Sequence, residues 1–368
     1  MVIGLIEGAS EATASLIKVV SGWYSDKFDK RKPFVLGGYG LSSLVKPALI
    51  WAGTPMQVLG IKISERVGKG VRSAPRDALI AESTSVETRG KAYGFHKAMD
   101  STGAVVGPIA TLAIILMVVA AELDTFRLIF ALAVVPAFAA VLVILFFVRE
   151  KEGAAKPSKR TFRKGLKLLG RPFWLLILIV LAFYAGEISY AFFILRAEDA
   201  NAGLFEGVVP EGVDPVLVQA IVLYILYNIV FVVVSMPAGN LSDRLGRKPV
   251  IIAAFGLFAV TCAVMALAEA LALLVIGFML FGIYKGASEG VLKAYVTDVV
   301  PADLRGTALG AFHTAVGLVM LPGGIAAGYL WDSVGHYATF AYGAVMALAA
   351  SALLVAFGQG GTHKLRPA

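Results

Sequence analysis

Apolar blocks of about 19–28 residues recur along the whole chain, separated by short charged or Gly/Pro-containing joints. A block of about 20 apolar residues matches a ~30 Å hydrocarbon layer at about 1.5 Å of rise per residue. In lipid, each backbone N–H and C=O has to be satisfied within its own segment, so such blocks read as helices. Of the 368 residues, 58% are hydrophobic and 16% are charged, against about 25% charged in a soluble domain. Eleven spans are predicted, at 3–21, 34–52, 56–82, 92–119, 126–148, 173–195, 215–238, 249–268, 271–298, 307–331 and 338–358. The fold class is therefore an all-α membrane protein. Pro47, Pro75, Pro108, Pro136 and Pro322 fall inside spans, where packed membrane helices tolerate them.

The joints alternate in charge. Residues 22–33, 84–91, 149–172, 239–249, 299–306 and 359–368 carry 21 Lys and Arg between them, whereas the intervening joints carry only Arg196. The positive-inside rule places the basic set in the cytoplasm, so the C-terminus is cytoplasmic and the N-terminus lies outside. The net charge of +8 reflects these joints. No basic patch interleaved with aromatics appears, so nucleic acid is excluded as a partner, and the bilayer takes its place. Cys262, the one cysteine, lies within an apolar block and reads as a small core residue. The stretch 149–172 is the only long basic linker; it reads as a topological anchor at the lipid headgroups, with partner docking as the alternative.

The chain repeats itself. Residues 22–33 read GWYSDKFDKRKP and residues 239–249 read GNLSDRLGRKP. The offset of 216 then pairs Arg89-Gly90 with Arg305-Gly306, and Gly107 with Gly323. The resulting division is a bundle of five helices over 1–148, the linker 149–172 and a bundle of six helices over 173–368. At these residues the chain resembles the major facilitator superfamily, which carries Gly-x-x-x-Asp-[Arg/Lys]-x-Gly-[Arg/Lys]-[Arg/Lys] in a loop of each half. The second copy fits at Gly239, Asp243, Arg244, Gly246, Arg247 and Lys248; the first fits at Gly22, Asp26, Lys27, Lys30 and Arg31 and departs at Asp29. Physically, the glycines permit close helix approach and the aspartates can face helix N-termini or basic neighbours. The resemblance implies a two-bundle fold and a cytoplasmic latch for one alternating state. It also implies that this chain lacks the family's first helix, so the eleven spans correspond to family helices 2 to 12. Gly103, Gly107 and Pro108 resemble the family's antiporter motif, with Ala110 and Thr111 replacing its final glycines.

Ionised groups at membrane depth are expensive and default to functional candidates. On the third span, Lys62, Glu65, Lys69, Arg72 and Arg76 share a stripe about 80° wide, with Arg66 and Asp77 beside it. Glu7, Glu11 and Lys18 share one face of the first span, Lys18 placed to snorkel to the interface, and Lys285, Glu289 and Lys293 share one face of the ninth. The fourth adds His96, Lys97 and Asp100, the sixth a lone Glu187 and the tenth His313. Two readings stand side by side. Interhelical ion pairs at a cytoplasmic gate suit Arg72, Arg76, Asp77, Glu82, Lys293 and Asp298. Substrate contact suits Arg66, Lys69, Lys285 and Glu289, with proton coupling at Glu7 and Glu11.

The resulting expectation is a monomeric secondary transporter of the inner membrane. It works by alternating access and exports a small organic solute, anionic or zwitterionic, in exchange for protons. An uptake symporter and a non-transporting sensor or assembly protein are the alternatives. No H-E-x-x-H pair, G-x-S-x-G elbow or Walker loop is present, so neither an enzyme nor a primary pump is expected, nor any metal or cofactor. Labelling of single cysteines from either face of intact cells, with Cys262 replaced, is expected to place 149–172 inside and the acidic stretch 196–214 outside. The reverse pattern would overturn the topology.

Overall fold

A computed structural model describes residues 2–28, 30–118, 123–150, 162–199, 207–209 and 215–357, with only the backbone of 2–12, 115–118, 123–126, 162, 163 and 217. Among these residues there are thirteen α-helices and no strand: α1 Val2–Phe28, α2 Lys32–Val45, α3 Pro55–Glu82, α4 Arg89–Val118, α5 Leu123–Phe147, α6 Phe162–Leu168, α7 Gly170–Ala185, α8 Tyr190–Asp199, α9 Pro215–Leu245, α10 Arg247–Ala266, α11 Leu271–Asp298, α12 Arg305–Ser333 and α13 His336–Phe357. Eight of the described helical stretches are long and apolar enough to cross a membrane. The helices follow the apolar blocks with three differences. The second span tightens into a 3-10 turn at Lys46–Trp51, where Pro47 cannot donate to a helical ladder. A short helix, α6, forms at the end of the basic linker. The sixth span is broken, into α7 and α8.

The helices pack as two units: Met1–Ser85, Ala121–Trp174 and Val296–Leu318 in one, and Val86–Ala120, Leu175–Tyr295 and Val319–Ala368 in the other. In the first, small residues let α3 lie close to both α1 and α2. A Cβ on Gly70 would meet the Ala14 carbonyl oxygen at 2.8 Å, and one on Gly68 would meet the Gly38 carbonyl oxygen at 2.6 Å. Hydroxyls tie the same seams: Ser21 Oγ donates to the Gly70 carbonyl at 2.9 Å and Ser42 Oγ to that of Glu65 at 3.1 Å. Small residues and serine cross-links replace the hydrophobic driving force that lipid cannot supply. At about 100° per residue, the Lys62–Arg76 stripe occupies the wider arc between these two packed faces.

In the second unit α4 lies along α9, with Gly94 so close that a Cβ there would stand 2.3 Å from the Ser235 carbonyl oxygen. Gly282 and Gly286 bring α11 onto α9 in the same way, at 2.7 Å from the Tyr227 oxygen and 3.0 Å from that of Phe231. An aromatic core fills the space behind: Phe183 stacks on Phe255 with centroids 3.7 Å apart, and Phe193 packs on Phe281 at 4.3 Å. These two rings flank the break between α7 and α8. Both reach α11, since Phe183 also lies 5.6 Å from Tyr284, and so the aromatic core keeps the two half-helices in place. The carbonyl of Ala185, freed by the break, accepts from Tyr342 Oη at 2.7 Å. Gly323 makes room for it, since a Cβ there would stand 2.2 Å from that oxygen. Cys262 is fully buried, in keeping with a packing residue.

Not every glycine is used in this way. A Cβ on Gly103 or Gly107 of α4 would meet no described atom within 4 Å. Gly94→Val is therefore expected to lower the melting temperature in detergent, on the scale of about 1–3 kcal/mol for overpacking. Gly103→Ala on the same helix is expected to leave it unchanged or to raise it, because alanine is the better helix former. Equal effects would refute this packing scheme.

Candidate functional site

The two copies of the repeated loop build the same anchor twice, once in each unit. Gly22 of α1 touches Gly306 at the start of α12; a Cβ on Gly22 would stand 2.2 Å from the Gly306 carbonyl oxygen. Four residues on, Asp26 accepts from the N–H of Gly306 at 3.1 Å, the N–H of Thr307 at 2.6 Å and the Thr307 hydroxyl at 2.5 Å. A carboxylate on the first turn's N–H groups satisfies orphan donors and meets the positive end of the helix dipole. Arg31 then closes over Asp26 at 2.7 Å, and binds Ser25 Oγ at 2.8 Å and Glu82 at 2.9 Å. Burial pushes the Asp26 carboxyl above its ordinary value, against the pull of Arg31 and the Thr307 donors.

In the other unit Gly239 of α9 meets Gly90 at the start of α4, again with 2.2 Å to the carbonyl oxygen. Asp243 accepts from the N–H of Gly90 at 2.8 Å and of Lys91 at 2.7 Å. Arg247 pairs with Asp243 and donates to Ser242 Oγ at 2.8 Å. The intervening Gly246 has φ +93°, which explains glycine in this copy. Asp29, its counterpart, lies outside the described residues. Lys27 and Arg244 are exposed.

The second candidate site is a charge cluster at the broken span. Glu187 occupies the non-helical stretch 186–189 and its side chain is 2% exposed. It accepts from Tyr284 Oη at 2.6 Å and pairs with Lys285 Nζ at 2.5 Å. The same ammonium lies 3.3 Å from Glu289, whose other oxygen is 2.7 Å from Lys97 Nζ on α4. Two cations and two carboxylates cancel within the buried part, as burial demands, and the exposed Asp100 lies 3.4 Å from Lys97 at its edge. Unwound backbone at membrane depth is tolerated only where protein or a cavity surrounds it, and in transporters it marks the binding region. Lys285 touches both carboxylates, so the loss of either negative charge redistributes it toward the other.

The remaining predicted residues fall as follows. Lys285 and Glu289 meet in this cluster, while Arg66 and Lys69 lie partly buried on α3 in the other unit. Arg72 stacks on Tyr39, its guanidinium carbon 4.0 Å from the ring centre. Arg76 pairs with Asp77 at 3.1 Å, and Asp77, fully buried, lies 3.0 Å from His313 Nε2. Lys293 and Lys18 are both buried, so Lys18 does not snorkel; Asp298 is half-buried. Glu7 and Glu11 lie on α1, but their side chains are outside the described residues. Glu187 is not the lone charge that the sequence reading made it. The signal that could have found its role is Gly186-Glu187-Ile188-Ser189, two helix-weakening residues around a carboxylate in an apolar run.

The family description Major Facilitator Superfamily matches residues 1–220 and 212–367. An uncharacterised MFS-type transporter of Methanocaldococcus jannaschii is 38% identical over 353 residues, spanning 96% of this chain and 85% of that protein. Among solved structures, the human organic anion transporter MFSD10 superposes with a TM-score of 0.76 at 16% identity, over 95% of this chain and 83% of that one. The Escherichia coli fucose:proton symporter FucP does so with a TM-score of 0.76 at 13% identity, over 97% and 91%. At these identities the structural likeness speaks for the fold alone.

Removing one member of the charge cluster is expected to cost more than removing a matched pair. Lys285→Met leaves Glu187 uncompensated, a loss on the scale of about 3–5 kcal/mol, and Glu187→Gln added to it is expected to recover most of that. Melting of the three variants in detergent reads this out; simple additivity would show that the pair is not coupled.

Proposed function

The chain belongs to the major facilitator superfamily, and on that premise we propose that this secondary transporter exports a small zwitterionic organic solute in exchange for protons. It works by alternating access, with bundles 1–148 and 173–368 rocking about a central site. The observation that carries the reading is the neutral four-charge cluster built on a broken span. A zwitterion matches it group for group. Its carboxylate takes Lys285, and its ammonium takes Glu187 or Glu289. A proton on Glu187 removes the ammonium's partner, so proton and solute exclude each other, which is what exchange requires. Arg66 and Lys69 on α3 are further candidate contacts for a solute. Glu7 and Glu11 on α1 are further proton sites.

The Asp26 and Asp243 anchors, with Gly22, Lys27, Arg31, Gly239, Arg244, Gly246 and Arg247, act as the cytoplasmic latch. Arg72, Arg76, Asp77, Glu82, Lys293 and Asp298 complete the gate on that side. Gly103, Gly107 and Pro108 support the antiport reading through their likeness to the family motif. The protein sits as a monomer in the inner membrane, its C-terminus cytoplasmic and residue 1 outside.

One observation favours a second reading, proton-coupled uptake of an anion. Protonating Glu187 leaves the cluster with a net positive charge, which an anionic solute would offset. The human relative in fold carries organic anions and the bacterial one is a proton symporter.

Flux in proteoliposomes under an imposed pH gradient separates the two, using a panel of zwitterions and organic anions. Exchange predicts zwitterion movement against the proton flow. Movement of an anion with the protons would replace export by uptake, and no gradient-dependent flux for any compound would count against both. Glu187→Gln, which holds the site in its protonated form, is expected to lower both gradient-driven flux and solute–solute exchange by about tenfold or more, the scale of ordinary site–site coupling. Unchanged coupling in Glu7→Gln/Glu11→Gln would remove those two residues from the mechanism.

A further inference from the structure

A groove of about 700 Å³ runs between α9 and α10 with α11 as its floor. Every lining side chain is apolar, among them Val233, Pro237, Leu241 and Leu245 of α9, Ala253 of α10 and Ala287 of α11. On α9 this face is opposite the one that carries Ser235, Gly239 and Ser242 to α4, about 180° around the helix. The groove therefore opens outward. Its wall is exposed: Val233 by 65%, Leu241 by 47% and Leu245 by 61%.

Two features identify the occupant. From Val233 to Leu245 the helix rises about 18 Å, close to the ~15 Å half-thickness of a bilayer's hydrocarbon. At the end where Leu245 and Pro249 lie, one basic residue borders the groove: the exposed Arg244, on the same face of α9 as Val233 and Pro237. Lys248 of α10 is turned away from the groove, donating from Nζ to the Val355 carbonyl at the end of α13 at 3.1 Å. Hydrocarbon along the groove and a phosphate at its basic end describe one molecule. We propose that this groove is a binding site for an anionic glycerophospholipid, one acyl chain lying along α9 and α10 and the headgroup phosphate held by Arg244. A bound lipid here fills the gap that the groove leaves between α9 and α10.

The test uses the full chain purified in mild detergent and native mass spectrometry with dioleoyl-phosphatidylglycerol or dioleoyl-phosphatidylcholine added. The wild type is expected to retain one phosphatidylglycerol with about tenfold preference over phosphatidylcholine. Ala253→Trp, which fills the groove from an exposed position, is expected to lose it. Arg244→Gln is expected to bind both lipids equally and weakly. Retention unaffected by Ala253→Trp, a headgroup preference unaffected by the charge variant, or a dimer that Ala253→Trp abolishes would each overturn the proposal. The wild type alone gives an independent reading. Phosphatidylglycerol with a diazirine on its acyl chain, in liposomes, is expected to label the peptides of residues 233–245 and 249–257; labelling confined to other helices would overturn it.

Discussion

A charged or polar group buried in a low-dielectric interior has to find a partner there, and this requirement organises both units. Asp26 and Asp243 meet it with the N–H groups of a helix start, completed by a guanidinium. Glu187, Lys285, Glu289 and Lys97 meet it by cancelling one another. The carbonyl of Ala185 meets it with the hydroxyl of Tyr342. The glycine contacts serve the same end, because an anchoring carboxylate reaches a neighbouring helix start only where the two backbones nearly touch.

The internal repeat reaches beyond sequence into individual hydrogen bonds. Gly, Ser, Asp and Arg recur at 22, 25, 26 and 31 and again at 239, 242, 243 and 247, and each makes the corresponding contact. The copies still differ. Arg31 is joined by Glu82, and its own N–H and that of Lys32 are taken by Glu150. Arg247 instead donates to the Val86 carbonyl at 3.3 Å. The first anchor is thus a network of several ionised groups, and the second relies more on main chain.

What the sequence revealed and what it hid follow from the range of each interaction. Spans are set by local hydropathy and were readable, as was the repeat, because its Gly-Ser-Asp-Arg signature is contiguous. Helix contacts of the anchors were half readable. Asp26 and Asp243 announced a demand for donors, but nothing in the chain named Gly306 or Gly90 as their source except the shared offset. The break at 186–189 was hidden because its residues sit in an apolar run, and the order there comes from distant rings, Phe255, Phe281 and Tyr284. Lys97 joins Glu289 over a separation no periodicity can span. Glu7 and Glu11 remain a reading from spacing.

Residues 186–189 also give the chain a place to change by length. Elsewhere in a span, one inserted or deleted residue would shift the helix register and swing half its side chains out of contact. In this gap no ladder has to be kept, so an inserted residue is taken up by the loop while α7 and α8 keep their packing. Indels confined to these four positions would thus offer descendants of this chain a way to present new side chains beside Glu187 without rebuilding either half-helix.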